Sequence, residues 1–129
     1  MSDRSLRTPL AKVRGLGSAK GGTHHFWLQR LTAIALIPLT VWFALSVASL
    51  SGADQATVQA WMKSPLSATL MISFLVAGFW HMKLGIQVVI EDYVHGEAAK
   101  ITLLILNNLI SIFLGVAATL SVLKMLLGS

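Results

Sequence analysis

The sequence predicts an all-α integral membrane protein built as a three-helix bundle, and three observations predict it. Apolar residues make up 55% of the 129 residues and charged residues only 12%, which leaves too little polar surface to keep a domain of this size in water. Three apolar stretches, Leu31–Leu50, Leu66–Ile90 and Ile101–Leu123, each have the roughly 20 residues a helix needs to cross a hydrocarbon core of about 30 Å. None of them shows the apolar/polar alternation of barrel strands, and in lipid only helices or closed barrels satisfy their own backbone groups.

The chain divides into an N-terminal arm, residues 1–23, and an anchor domain, residues 24–129, with spans at about 27–50, 66–90 and 101–126. The arm mixes basic residues with Pro9, Gly15, Gly17, Gly21 and Gly22 and has no sustained apolar periodicity, so it reads as irregular. Docking on a soluble partner, lying on anionic lipid, and serving as a solvated topogenic tail all suit it. The first apolar run starts too late and runs too long for a cleavable signal peptide.

In the first span Pro38 removes a backbone donor and should kink the helix. Trp27, at the membrane entrance, and Trp61, in the following loop, suit interfacial aromatics. Ser51–Pro65 is short, polar and turn-rich and reads as a connector, with Ser51-Gly52-Ala53-Asp54 as a helix stop. In the third span Asn107 and Asn108 predict hydrogen bonds across a helix interface.

Arg4, Arg7, Lys12, Arg14, Lys20 and Arg30 all precede or open the first span, whereas the next loop offers only Lys63. The positive-inside rule then puts the N-terminus in the cytoplasm and the C-terminus on the periplasmic side of an inner membrane. The net charge of +5 thus marks topology, and no nucleic-acid partner is expected. With no cysteine, thiolate metal sites, iron–sulfur ligation and cysteine nucleophiles are excluded from this polypeptide.

The chemistry concentrates in the second span, in the run HMKLGIQVVIEDYVHG. His81 is the sole histidine inside a predicted span, and imidazoles from two helices are a simple way to ligate haem iron in a bundle. One chain offers one such ligand, so the second would come from another subunit or from self-association. Gly78 and Gly85 lie at helical spacing on either side of His81. They either make room for a flat macrocycle or let two helix backbones approach closely. Lys83 reads as a residue that snorkels to the cytoplasmic interface.

Eleven residues at about 100° each exceed three full turns by about 20°, so Asp92 returns to the face of His81 about 16 Å further on. Asp92 and Tyr93 then sit where the span meets water. There a carboxylate and a phenol can hydrogen-bond a carbonyl and pass protons to it, as a quinone headgroup requires. The plainer readings are a solvated acid and an aromatic-belt tyrosine. Arg30 is either a positive-inside arginine or a bidentate partner for a haem propionate.

Two motifs, G-T-H-H-F-W-L-Q-R-L-T-A-I-A from Gly22 to Ala35 and H-x3-G-x-Q-V-x3-D-Y-V from His81 to Val94, carry a resemblance. The chain resembles the smaller hydrophobic membrane-anchor subunit of succinate dehydrogenase, respiratory complex II, over nearly its whole length. The resemblance implies half of a two-subunit cytochrome b anchor, with His81 as the axial ligand this subunit gives to the iron of haem b. It implies that Tyr93 hydrogen-bonds ubiquinone, the substrate, that Asp92 supports it or relays protons, and that Arg30 and His24 lie near the haem propionates. His25 stands where relatives carry an acid and receives no role. The implied partners are a larger cytochrome b anchor subunit, an iron–sulfur subunit and a flavoprotein subunit, with FAD and the clusters held by those partners, and membrane lipid. The chain would not be an enzyme alone. A fumarate reductase anchor shares these features, as would the anchor of another quinone-linked oxidoreductase. A small non-redox transporter with a path through His81, Lys83 and Asp92 is the reading from a different class.

Overall fold

A computed structural model describes residues 8–13 and 20–128, and among these every regular element is helical. In chain order they are α1 (Pro9–Val13), α2 (Lys20–Ser49), α3 (Gln55–Met62), α4 (Pro65–Tyr93) and α5 (Glu97–Leu127). Three are long and apolar enough to cross a membrane: α2 over Gly22–Ser49, α4 and α5. At about 1.5 Å per residue each exceeds the hydrocarbon core of about 30 Å, so the helices continue past their apolar stretches into the headgroup regions. The predicted arm is helical at Pro9–Val13 and from Lys20 onward, and its residues 1–7 and 14–19 lie outside those described.

Helix α2 runs through Pro38 without ending. The chain turns at Gly52, whose φ of 79° is the left-handed conformation that favours glycine. The connector expected at Ser51–Pro65 contains α3. Asp54 caps this helix by accepting a hydrogen bond from the Thr57 backbone N–H at 2.9 Å. Hydrogen bonding from the Thr57 side chain, and after it from the Thr57 backbone N–H, holds the Asp54 carboxyl below its ordinary pKa. Trp61 stacks on Trp42 with ring centroids 5.7 Å apart, so it packs within the protein as well as facing the interface. Its neighbour Met62 is buried with Ala68 and Val122, and Met71, Leu75 and Leu126 pack around them.

Pro65 starts α4 with a fixed φ, where its missing N–H leaves no intrahelical bond unmade. Only residues 94–96 separate α4 from α5, so the segment left between the second and third predicted spans, residues 91–100, is mostly helix. The Lys100 ammonium donates to the Glu91 carbonyl at 3.0 Å, satisfying one of the open carbonyls at the end of α4. Glu97 in the first turn of α5 and Lys124 in its last turn both complement the helix dipole.

Helix α4 is central. It packs against α2 on one side and α5 on the other, and among the described residues α2 and α5 do not pack against each other. The bundle is consequently an open row. Phe43 stacks on Phe74 at 4.8 Å between α2 and α4. Gly115 brings α5 onto α4: a Cβ there would stand 3.4 Å from the Cβ of Phe79. The Asn107 amide donates to the Lys83 carbonyl at 3.0 Å, which is the predicted bond across a helix interface. Many large apolar side chains, such as Leu31, Ile34, Ile37, Leu109 and Phe113, remain exposed, which fits lipid or a second membrane subunit but not water.

Candidate functional site

Helix α4 has two working faces because residues two apart lie about 200° apart around a helix. His81 faces α2, whereas Phe79 and Lys83 face α5. The His81 Nδ1 lies 3.1 Å from the Thr32 hydroxyl, which fixes the register of α4 against α2. The same hydroxyl lies 2.8 Å from the Leu28 carbonyl and 3.1 Å from that of Gln29. It has one hydrogen to give, and a carbonyl of its own helix takes it. In the tautomer with the proton on Nδ1, the hydroxyl oxygen accepts from His81 Nδ1–H and Nε2 keeps the free lone pair that a metal requires.

Beside this pair runs a groove of about 420 Å³, lined by Leu28, Thr32, Ala35, Ser73, Ala77 and Trp80 among others. Ala77 and Ser73 stand four and eight residues before His81, on its own stripe. The two flanking glycines separate in role. Gly78 faces Leu36 of α2 at 3.9 Å for an added Cβ, so it serves helix packing, while Gly85 has nothing within 4 Å and leaves open space one turn beyond His81. A half-buried imidazole beside small side chains and an open glycine is a residue that would hold the metal of a flat macrocycle. Among the described residues no group of three or more His, Cys, Asp or Glu side chains converges.

Helix α4 continues through Tyr93, which places Asp92 on the His81 stripe about 16 Å further along. Both Asp92 and Tyr93 are exposed, Tyr93 at 77%, in the last turn of α4 at the end of the row where α2 begins. They are free to meet a ligand or another subunit.

Arg30 and His24 are exposed on α2 and are not brought to His81. Arg30 lies about 160° around α2 from Thr32, its guanidinium 4.4 Å from the Phe26 ring centroid. Lys83 does not reach toward the nearby end of α4. Its Nζ lies 5.0 Å from the Trp80 ring centroid, because side chains on a helix lean toward its N-terminus. The ammonium thus points back along α4, away from that end.

The sequence reading passed over two residues. Thr32 figured only as a letter of a motif, yet it holds His81. His25 carries a buried Nε2 without a hydrogen-bond partner. The signal was their seven-residue spacing, about 20° short of two full turns, which puts both on the face of α2 that meets α4.

The family described as "Succinate dehydrogenase/Fumarate reductase transmembrane subunit" matches residues 4–122. The chain is 34% identical to a succinate dehydrogenase hydrophobic membrane anchor subunit of Rickettsia bellii, over 87% of this chain and 90% of the relative. It is 36% identical to the corresponding subunit of Paracoccus denitrificans, over 72% of each chain. A succinate dehydrogenase membrane anchor subunit of Reclinomonas americana is 35% identical over 72% of this chain and 80% of its own length. With three spans in a row and a family match over nearly its whole length, this multi-pass membrane protein belongs to the family of succinate dehydrogenase and fumarate reductase transmembrane subunits.

Proposed function

We propose that this chain anchors a succinate:ubiquinone oxidoreductase in the membrane, supplies one axial ligand to a haem b shared with a larger anchor subunit, and completes a ubiquinone-reduction site. The observation that carries the reading is His81, whose Nδ1 meets the Thr32 hydroxyl at 3.1 Å beside a groove with small side chains, on one stripe with Asp92. When bound, the haem would supply one-electron redox chemistry to the complex. Arg30, a permanent cation, and His24, a hydrogen-bond donor, are exposed near the start of α2 and are the groups that would meet its carboxylates.

The protein's own work is positional. The Tyr93 phenol donates a hydrogen bond to a quinone carbonyl, which stabilises charge developing on that oxygen as electrons arrive. The Asp92 carboxylate beside it takes protons from water at the membrane boundary and returns them to the reduced carbonyl. The basic N-terminus faces the cytoplasm, so this end of α4 meets the iron–sulfur and flavoprotein subunits, which oxidise succinate with their own clusters and FAD. The family also includes fumarate reductase subunits, and the same groups serve the reverse direction. Membership of this family favours the redox reading over a transport path.

The reading is tested by purifying the complex from native membranes through a tag on this chain and assaying ubiquinone reduction by succinate. The expected result is co-purification of a flavoprotein, an iron–sulfur protein and a second membrane subunit, with that activity and a b-type absorbance. Recovery of the chain with no such subunits and no absorbance would overturn it.

A further inference from the structure

We propose that Thr32 is the positioning residue for His81: its hydroxyl takes the Nδ1–H, fixes the tautomer and plane of the imidazole, and sets how strongly Nε2 donates to iron. The inference rests on the reading of His81 as a haem ligand.

The geometry distinguishes this hydroxyl from its neighbours. Ser46, Ser73, Thr102, Thr119 and Ser121 each donate to the carbonyl four residues earlier on their own helix, which satisfies the hydroxyl and nothing further. Thr32 makes that same bond to Leu28 and also meets the His81 ring on another helix, at 3.1 Å. The bond to Leu28 is what makes the second contact directional. With its hydrogen given to a carbonyl, the oxygen presents lone pairs to His81, and on this proposal Nδ1 carries the proton and Nε2 the lone pair. Thr32 is β-branched, and its stiff side-chain torsion holds the oxygen in place. The groove beside the pair is lined by Thr32 itself and by small or apolar side chains, so water competes little for the Nδ1 proton.

Metal-ligating histidines commonly donate their second N–H to an acceptor that orients the ring and raises its basicity. A hydroxyl is a weaker acceptor than a carboxylate, so Thr32 gives moderate donation. A more basic imidazole stabilises ferric over ferrous iron. Removing the acceptor should therefore raise the reduction potential and loosen the ring.

The test uses the purified multi-subunit complex with Thr32→Val, which keeps the branched shape and removes the oxygen, Thr32→Ser, which keeps the oxygen, and His81→Ala. Each is read by redox titration of the b-haem absorbance, by the ferric electron paramagnetic resonance spectrum and by haem retained per complex after detergent washing. The expected result is an upward shift in potential, a changed ferric spectrum and about tenfold weaker haem retention in Thr32→Val, with values close to wild type in Thr32→Ser. A wild-type potential and spectrum in Thr32→Val, with haem lost in His81→Ala, would overturn the role of Thr32 alone. An equal shift in both Thr32 variants would assign the effect to packing and also overturn it. An unchanged haem in His81→Ala would overturn the ligand reading and this inference together.

Discussion

Individual side chains on α4 and α2 divide into those whose direction the sequence reveals and those whose direction depends on a neighbour. The shared stripe of His81 and Asp92 follows from helical periodicity alone, and α4 extends far enough to keep it. The contact of His81 with Thr32 does not follow from it, because α2 is apolar around most of its circumference and offers no stripe that says which face meets α4. For the same reason the sequence left two roles open for Gly78 and Gly85, which the packing of Leu36 separates. Lys83 illustrates a different limit. Its nearness to the membrane boundary suggested an outward reach, but the backward lean of helical side chains puts its ammonium over Trp80. At this scale the account predicts that Tyr93→Phe lowers ubiquinone reduction about tenfold, the effect of one hydrogen bond lost to the reacting carbonyl. Succinate oxidation by a soluble artificial acceptor, assayed on the same complex, should persist. An equal fall in both activities would make the tyrosine structural.

Helix existence was legible at the scale of elements, since about 20 apolar residues in a row admit few alternatives. Helix ends were less so, because α2, α4 and α5 continue into polar residues that no hydropathy pattern marks. The capped helix α3 hid in a polar loop whose one signal was Asp54 three residues before Thr57. Substituting Asp54 by Ala should fray α3, seen as faster amide exchange at Thr57 and Val58. Lowering pH should act in the same direction. The Asp54 carboxyl has a depressed pKa in the fold, so its contribution is complete above the ordinary aspartate range and is lost as pH falls through the folded value. Protection at Thr57 and Val58 that is unaffected by either change would contradict the cap. The close approach of α4 and α5 at Gly115 makes a second prediction. Gly115→Ala should be tolerated, since its Cβ meets Phe79 at an ordinary 3.4 Å. Gly115→Leu should destabilise the complex by about 1–3 kcal/mol through overpacking, measured as a lower thermal midpoint in detergent.

The whole molecule is an open row with α4 in the middle, and that openness is consistent with its proposed role. A closed three-helix bundle would bury His81 on all sides, whereas the row leaves a groove beside it and large apolar side chains on its outer faces. Neither the groove nor the row was legible from composition, because lipid-facing and partner-facing helix surfaces are equally apolar. The second haem ligand, on this account, belongs to another subunit, so the site exists only in the assembled complex. The central claim is that His81 ligates haem iron, and the most direct measurement is the dithionite-reduced minus oxidised spectrum of the purified complex, wild type against His81→Ala. Subunit composition should be checked on the same samples. The account predicts loss of the b-haem signal with all subunits present; an unchanged signal in the assembled variant would place the ligand elsewhere and contradict it.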